Sequence, residues 1–156
     1  MKFAIFGFLF CLLVVSEATK VQQCENGPPL QDGQITISGC DKPPCRLRKK
    51  NTAHASFTFS PTEDIPKLSN TVFAQIVGIP FPFIGVDGTN ACNQVYEADG
   101  ETKASCPLKS GQKYVYKNKF DILDIYPRLK LVVHWALTAP GNKDILCFEV
   151  PARITN

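Results

Sequence analysis

The sequence has few of the residues on which acid–base catalysis and metal binding depend, with only two histidines, His54 and His134, in 156 residues. It contains no Gly-x-Ser-x-Gly elbow, no phosphate-binding glycine loop and no motif of a catalytic metal site. Asp121 and Asp124 are close in sequence, but a general acid–base pair also needs an enclosing cleft, which the sequence does not predict. Both histidines occupy polar positions of predicted strands, where solvated imidazoles are expected. We therefore expect no enzyme activity, no cofactor and no metal site.

The sequence also lacks an apolar run of the ~20 residues that a membrane-spanning helix needs. Its longest uncharged N-terminal run covers residues 3–15, follows Lys2 and precedes Ser16-Glu17-Ala18. A positive start, a short apolar stretch and small residues before a cleavage point are typical of a secretory signal peptide, with a membrane anchor as the alternative. The sequence predicts a signal peptide over 1–18 and one domain over 19–156.

The sequence also lacks N-glycosylation sites and a large net charge. No Asn-x-Ser/Thr triplet occurs, so no N-glycan is expected, and an extracellular location is favoured over lysosomal delivery by a phosphorylated mannose tag. The net charge of +3 is too small for a nucleic-acid-binding face. The densest basic stretch, residues 46–50, is interpreted as a solvated strand face or as a docking patch for an anionic membrane or acidic receptor.

Cysteines, by contrast, are numerous. Cys11 would leave with the signal peptide, and an even number in an exported chain indicates disulfides, for which six cysteines allow 15 pairings. The six that remain are Cys24, Cys40, Cys45, Cys92, Cys106 and Cys147. Cys40–Cys45 would close a turn and Cys92–Cys106 the base of a polar loop, which leaves Cys24–Cys147. The alternative is a zinc site at Cys40 and Cys45. The oxidising environment of an exported protein and the lack of a second pair of ligands argue against it.

The periodicity of the chain after the signal is that of β-strands, and helical spacing is sustained nowhere. Apolar and polar residues alternate over 53–59. Further strands are predicted over 71–77, 113–117, 128–137 and 145–154. The strand over 128–137 places five apolar residues on one face: Leu129, Leu131, Val133, Trp135 and Leu137. Six or seven strands at this spacing predict an all-β, two-sheet antiparallel sandwich.

Residues 78–85, Gly-Ile-Pro-Phe-Pro-Phe-Ile-Gly, are unusual for a strand. Their two prolines remove two ladder donors, so the segment belongs at a sheet edge or outside the sheet. In an extended conformation Phe81 and Phe83 share one side. We expect either an apolar loop over an opening between two sheets or a plug at one end of the core.

Several motifs in a fixed order resemble those of the ML lipid-recognition family, in particular of Niemann-Pick type C-2 sterol-transfer proteins and the related mite group 2 allergens. The resemblance is to an arthropod member of this family. The motifs are Cys24, Cys40-x4-Cys45, Gly78-Ile79-Pro80-Phe81-Pro82-Phe83, Cys106-Pro107-Leu108 with Gly111-Gln112-x-Tyr114, Tyr126-Pro127-x-Leu129-Lys130-Leu131-Val132-Val133-x-Trp135, and Cys147-Phe148. They span nearly the whole mature chain.

This resemblance implies an immunoglobulin-like antiparallel β-sandwich with a lipid cavity between its sheets and the three disulfides named above. It places Phe81, Ile122, Tyr126 and Pro127 at the mouth and walls, and Phe83 is added as the next residue on the same side. The sequence departs from the sterol-transfer proteins at two places, and both bear on which ligand is bound. Residues 93–105 form a longer loop than is expected for those proteins, and residues 84–86 contain less proline than the same segment of those proteins.

The resemblance further implies a secreted, monomeric protein that carries a sterol, a fatty acid or a similar apolar ligand. Its expected partners are that ligand and, transiently, a membrane or a lipid-accepting membrane protein, with no nucleic acid. The alternative is an innate-immune recognition module that presents microbial lipid to a receptor.

Overall fold

The computed structural model describes residues 17–156, and residues 1–16, most of the predicted signal peptide, lie outside the described residues. Within this part of the chain the regular structure is almost entirely β, apart from a short 3-10 helix at Ala91–Gln94. The strands are β1 (Gln22–Gln23), β2 (Ile35–Ile37), β3 (Cys45–Arg48), β4 (Thr52–Phe59), β5 (Ser69–Ile76), β6 (Ile79–Pro82), β7 (Val95–Glu97), β8 (Tyr114–Asp121), β9 (Lys130–Ala139) and β10 (Lys143–Thr155). Between residues 17 and 156 there is no helix long and apolar enough to cross a membrane.

The strands form two sheets. Sheet A has the order β1-β10-β9-β5-β6, with β3 also paired to β10, and sheet B has the order β2-β4-β8-β7. All pairs are antiparallel except β3 with β10. The all-β sandwich of two antiparallel sheets is therefore confirmed, with one parallel pair as an exception.

The predicted strands are all present, but their boundaries differ by up to four residues, and two of these differences affect the candidate site. The strand expected over 113–117 continues to Asp121, which adds Phe120 to the buried face of β8. The strand expected from Arg128 begins at Lys130, because residues 122–129 form an irregular segment around Pro127. Residues 78–85 contain the edge strand β6, which pairs only with β5, so the expected edge position is confirmed.

Aromatic rings from both sheets meet in the centre of the molecule. Phe57 of sheet B stacks on Tyr116 at a centroid distance of 5.0 Å, and meets Trp135 and Phe148 of sheet A edge-on at 5.2 and 5.0 Å. All four side chains are fully buried. Edge-to-face pairs of this kind contribute about 0.5–1.5 kcal/mol each beyond the burial of apolar area. These rings hold the two sheets together.

The three disulfides pair as the sequence predicts: Cys24–Cys147, Cys40–Cys45 and Cys92–Cys106. The first joins the start of the described chain to β10 over a sequence separation of 123 residues, and the second closes a separation of only 5. A bond that closes a longer loop removes more conformational entropy from the unfolded chain.

Removing a disulfide should destabilise the protein more when the disulfide closes a longer loop, although the loss grows only with the logarithm of loop length. In the chain-entropy model, replacing Cys24 and Cys147 together by Ala costs ~4–5 kcal/mol, whereas replacing Cys40 and Cys45 together costs ~2 kcal/mol. Urea unfolding of both double variants beside the parent protein measures the difference. Equal losses in the two variants would contradict the entropic account.

Candidate functional site

Two of the five predicted ligand residues are in direct contact. The rings of Phe83 and Tyr126 meet edge-on at a centroid distance of 5.9 Å. The hydroxyl oxygen of Tyr126 accepts a hydrogen bond from the backbone N–H of Ile84 at 3.2 Å. This bond ties the irregular segment before β9 to the chain that leaves β6. Tyr126 thus lies half-buried over the buried ring of Phe83.

Phe81 lies beside this pair but is much more open to solvent. It pairs with Ala74 across β6 and β5, on the face of sheet A that carries the core residues. Its position at the sheet edge nevertheless leaves it 49% exposed. Phe81 therefore lies at the border between the interior and solvent, as a residue at a cavity mouth would.

Ile122 and Pro127 are placed differently from the other three. Ile122 is buried, and it lines a cleft of about 310 Å³ together with Leu47 and Ala53, on the side of the sandwich where β2 and β3 run. Pro127 is exposed in the segment before β9. The structure thus assembles Phe81, Phe83 and Tyr126 around β6, while Ile122 borders a separate cleft.

The space between the sheets is filled at its centre. From the surface inward, the ring of Phe83 meets Phe120 at 5.6 Å, and Phe120 meets Trp135 at 5.5 Å. Trp135 then joins the central aromatic cluster around Phe57. A continuous series of rings therefore leads from Tyr126 to the middle of the sandwich. The open lipid cavity implied by the resemblance stays a prediction.

Phe120 is the link in this series that the sequence reading missed. It lies four residues beyond Tyr116 and two beyond Asn118, and therefore on the same face of β8, as a strand period of two requires. The signal was present, because Tyr114, Tyr116 and Phe120 occupy positions of the same parity. Ending the predicted strand at Lys117 removed Phe120 from the candidate residues.

A buried hydrogen-bond chain accompanies the rings and crosses from one sheet to the other. The Tyr116 hydroxyl donates to Asn70 Oδ1 on β5 and accepts from Asn118 Nδ2 at 2.8 Å. Asn70 Nδ2 donates in turn to the Thr89 hydroxyl at 3.0 Å. Burial raises the pKa of the Tyr116 phenol far above its ordinary value, although its hydrogen bonds with Asn118 and Asn70 act in the opposite direction. The interior thus contains neutral polar groups and disfavours charge.

Large apolar side chains are exposed around the Phe81–Tyr126 region. We call these five residues the apolar rim: Val77, Ile79, Phe81, Ile84 and Ile125, with exposures between 49% and 97%. Val77 begins the turn between β5 and β6 with a positive φ of 51°, which is rare for a β-branched residue. Exposed apolar residues that cluster in this way mark surfaces that bind partners, ligands or membranes.

A row of basic side chains lies next to the apolar rim. Arg46, Arg153 and Lys130 are neighbours in register across β3, β10 and β9. The last residue pair between β5 and β9 is Gln75 with Val132, and Val77 and Lys130 each lie two residues from this pair. None of the ion pairs between residues 17 and 156 includes a member of this basic row. Like charges directly opposite one another destabilise a sheet, so the row favours an anionic partner.

The two histidines differ in their surroundings. His54 is exposed, as predicted. The prediction of a solvated His134 is wrong, because outward positions on β9 are covered by the neighbouring strands: its ring stacks on Phe73 at 4.3 Å, and its Nδ1 lies 3.0 Å from Glu149 Oε1. His134 also lies beside the sulfur atoms of Cys24 and Cys147, but these are bonded to each other and offer no thiolate to a metal.

A family model, curated relatives and a solved structure all indicate the same family. A family model described as the ML domain matches residues 18–154. NPC intracellular cholesterol transporter 2 of Bos taurus is 27% identical over 99% of each chain, and NPC intracellular cholesterol transporter 2 homolog a of Drosophila melanogaster is 31% identical over 78% of each chain. The crystal structure of a Niemann-Pick type C2 protein from Japanese carpenter ant matches with a TM-score of 0.65 and 25% identity, over 91% of this chain and 96% of that chain.

The different burial of two phenylalanines generates a stability prediction. Phe57→Ala removes a ring from the fully buried aromatic cluster and should cost about 3–5 kcal/mol of unfolding free energy. Phe81→Ala removes a ring that already contacts solvent on one side, so it should cost about 1 kcal/mol. Denaturant melts of the two variants measure both values. A loss for Phe81→Ala as large as that for Phe57→Ala would make Phe81 an ordinary core residue.

Proposed function

This chain belongs to the ML domain family, and on that premise we propose that it binds an apolar or amphiphilic lipid between its two sheets and transfers it to membranes. The ligand class proposed is a sterol, a fatty acid or a lipid of similar size. The names of two relatives, which describe cholesterol transporters, support this class. The observation that carries the proposal is the series of aromatic rings that leads from the apolar rim to the centre of the sandwich.

Binding at this place needs little besides apolar contact. A lipid that enters along the ring series exchanges ring–ring contacts for ring–lipid contacts, so the protein loses little apolar burial. The lipid gains the full hydrophobic free energy of its own burial. Removing ~300 Å² of its apolar surface from water contributes roughly 7 kcal/mol before the entropic cost of ordering is subtracted. Tyr126 lies at the outer end of the series, where its ring meets Phe83 edge-on and its hydroxyl oxygen accepts a hydrogen bond from the Ile84 N–H, and it is the ring that must move first.

Transfer requires the protein to meet a membrane, and the surface around Tyr126 is suited to that contact. The apolar rim supplies side chains that can enter the edge of a bilayer, and the basic row supplies charges for anionic headgroups. Both border the same end of the molecule. In this arrangement a lipid passes between bilayer and sandwich without crossing water.

The proposal also includes export of the protein from the cell and a monomeric state. The N-terminal sequence supports a signal peptide that is removed after Ala18, and the domain model that begins at residue 18 is consistent with a mature domain over 19–156. Three disulfides suit an oxidising, extracellular environment. No catalytic step is part of the proposed function.

The binding site is tested with a matched pair of variants. Phe81→Ala should weaken binding of the fluorescent sterol dehydroergosterol by about 1–3 kcal/mol, because one side-chain contact with the ligand is lost. Phe73→Ala is the control: Phe73 lies on the same sheet but stacks on His134 on the outer face. Its affinity should equal that of the parent protein. Equal weakening in both variants, or no saturable binding of sterol or fatty acid by the parent protein, would overturn the proposal.

Membrane contact is tested by removing charge from the basic row. At roughly 1 kcal/mol per charge near an anionic surface, Lys130→Gln with Arg153→Gln should weaken binding to phosphatidylserine vesicles by about thirtyfold. Lys113→Gln with Lys119→Gln removes the same charge from exposed positions near β8 and should have a much smaller effect. Vesicle flotation measures both, with phosphatidylcholine vesicles as the uncharged reference. The same weakening in the two double variants would show that net charge alone, and not the basic row, determines binding.

A further inference from the structure

The long loop over residues 93–105 is an ordered hairpin that continues β7. Backbone hydrogen bonds join its returning side to β7. In its turn, the Asp99 carboxylate accepts hydrogen bonds from two backbone N–H groups and from the Thr102 hydroxyl. The Cys92–Cys106 disulfide closes its base. The hairpin therefore holds the side chains that it carries in defined positions.

The hairpin brings two ammonium groups to one aromatic ring. Lys103, on the returning side, lies opposite Tyr96 of β7, and its Nζ is 4.5 Å from the centroid of that ring. Lys117 of β8 places its Nζ 5.3 Å from the same centroid. Lys103 also donates a hydrogen bond to the Asn93 carbonyl, and Lys117 donates one to the Gly100 carbonyl. Because an ammonium has three donors, both cations are oriented and still have donors for a further acceptor.

Two clefts meet at this hairpin. One, of about 840 Å³, lies beside the Cys92–Cys106 disulfide, and the other, of about 590 Å³, lies on the outer face of sheet B. Asn93 and Lys103 line both clefts, which therefore form one continuous surface that we call the lysine groove. Five exposed basic side chains line it: His54, Lys67, Lys103, Lys117 and Lys119.

The lysine groove has no countercharge of its own. No Asp or Glu is among the described residues that line it, and its lysines take part in none of the ion pairs between residues 17 and 156. Hydrogen bonds from Thr102 and the backbone lower the pKa of Asp99, and the charge of Lys117 makes the smallest contribution. Glu97, the other carboxylate near the hairpin base, accepts a hydrogen bond from Gln112. Concentrated positive charge without countercharge favours an anionic partner.

The surface between the cations is polar. On the outer face of sheet B, His54 lies opposite Lys119, and Ser56 lies opposite Lys117 with Thr36 on its other side. None of the apolar-rim residues lines the groove. Membrane contacts and the centres of protein interfaces depend on buried apolar side chains, which this surface does not offer. Hydroxyl side chains between cations instead match a partner that carries both hydroxyls and anionic groups.

We propose that the lysine groove binds an anionic glycan, a linear polysaccharide with sulfate or carboxylate groups. Its charged groups contact the lysines, and its hydroxyls contact the serine and threonine side chains between them. This binding site is separate from the proposed lipid site and needs no ligand between the sheets. Export, as proposed above, brings the protein to the glycans of cell surfaces. Binding there keeps a lipid carrier close to the membranes with which it exchanges its ligand.

Two double variants that remove equal charge from different surfaces test the site. Lys103→Gln with Lys117→Gln should weaken binding of a heparin hexasaccharide by about thirtyfold, since each cation near a polyanion contributes to affinity. The slope of log affinity against log salt concentration should fall by about two, one for each cation removed. Lys130→Gln with Arg153→Gln, in the basic row, is the control and should change the affinity by no more than about threefold, because distant charges are screened.

Isothermal titration calorimetry at several salt concentrations measures these affinities. Equal weakening in the two double variants would show that net charge alone attracts the polysaccharide, and no saturable heparin binding by the parent protein would remove its basis. Either result overturns the proposal.

The class of partner is tested with other ligands. Uncharged dextran should not bind, and poly-L-glutamate of the same charge as the hexasaccharide should bind more weakly, because it has no hydroxyls. Phosphatidylserine vesicles should bind the Lys103→Gln, Lys117→Gln variant about as well as the parent protein. If poly-L-glutamate binds as tightly as heparin, or if vesicle binding falls with this variant as it does with the basic-row variant, the assignment to a glycan is wrong.

The position of the glycan is tested by ¹H–¹⁵N correlation spectra of the intact protein. The hexasaccharide should move the amide signals of His54, Lys103 and Lys117 and leave those of Ile84 and Ile125 in place. Shifts confined to the apolar rim or the basic row would overturn the proposal. The Lys103→Gln, Lys117→Gln variant should also bind dehydroergosterol with the affinity of the parent protein. A parallel loss of sterol affinity would contradict two separate sites.

Discussion

The structure depends on aromatic rings that meet between the two sheets. Phe57 contacts three other rings at 5.0–5.2 Å, and through Trp135 and Phe148 it joins sheet B to sheet A. The Tyr116–Asn70 hydrogen bond makes the same connection between polar groups. The strand register, the apolar–polar alternation along β4 and the inward-facing residues of β9 together place these side chains in contact. A sandwich held in this way has large, flat rings at the centre of its interior, beside buried aliphatic side chains such as Leu137 and Leu146.

Such an interior is suited to exchange. Ring–ring contacts are replaced by ring–lipid contacts at small cost, since both remove similar apolar area from water. Cys24–Cys147 packs with Ala136 in a small cluster separate from the main core. Cys40 and Cys45 belong to the main core, but their disulfide closes only a local turn. The disulfides therefore limit unfolding while leaving the aromatic contacts between the sheets to non-covalent forces, which a ligand can compete with.

Much of the fold could be predicted from the sequence, because period-two alternation, proline positions and the short loops between neighbouring cysteines are local signals. They predicted the strand at 53–59, the edge position of Pro80 and Pro82 and two disulfides, which left Cys24–Cys147 as the third, and the family resemblance implied the same three pairs. The candidate site was predicted less completely. Its residues come from β6, β8 and the segment before β9, and their contacts depend on how the two sheets superimpose, which no local pattern encodes. Hence Phe120 was missed and the surroundings of His134 were misjudged.

Two exposed features of this molecule conflict with the usual rules of protein stability. Val77 exposes an apolar, β-branched side chain at a positive φ. Arg153 stands between two other cations without a carboxylate among its described ion-pair partners. Each costs stability, and natural sequences keep such conflicts mainly where function compensates them. A membrane offers an apolar phase to the first and anions to the second, so the membrane contact that we propose would compensate both.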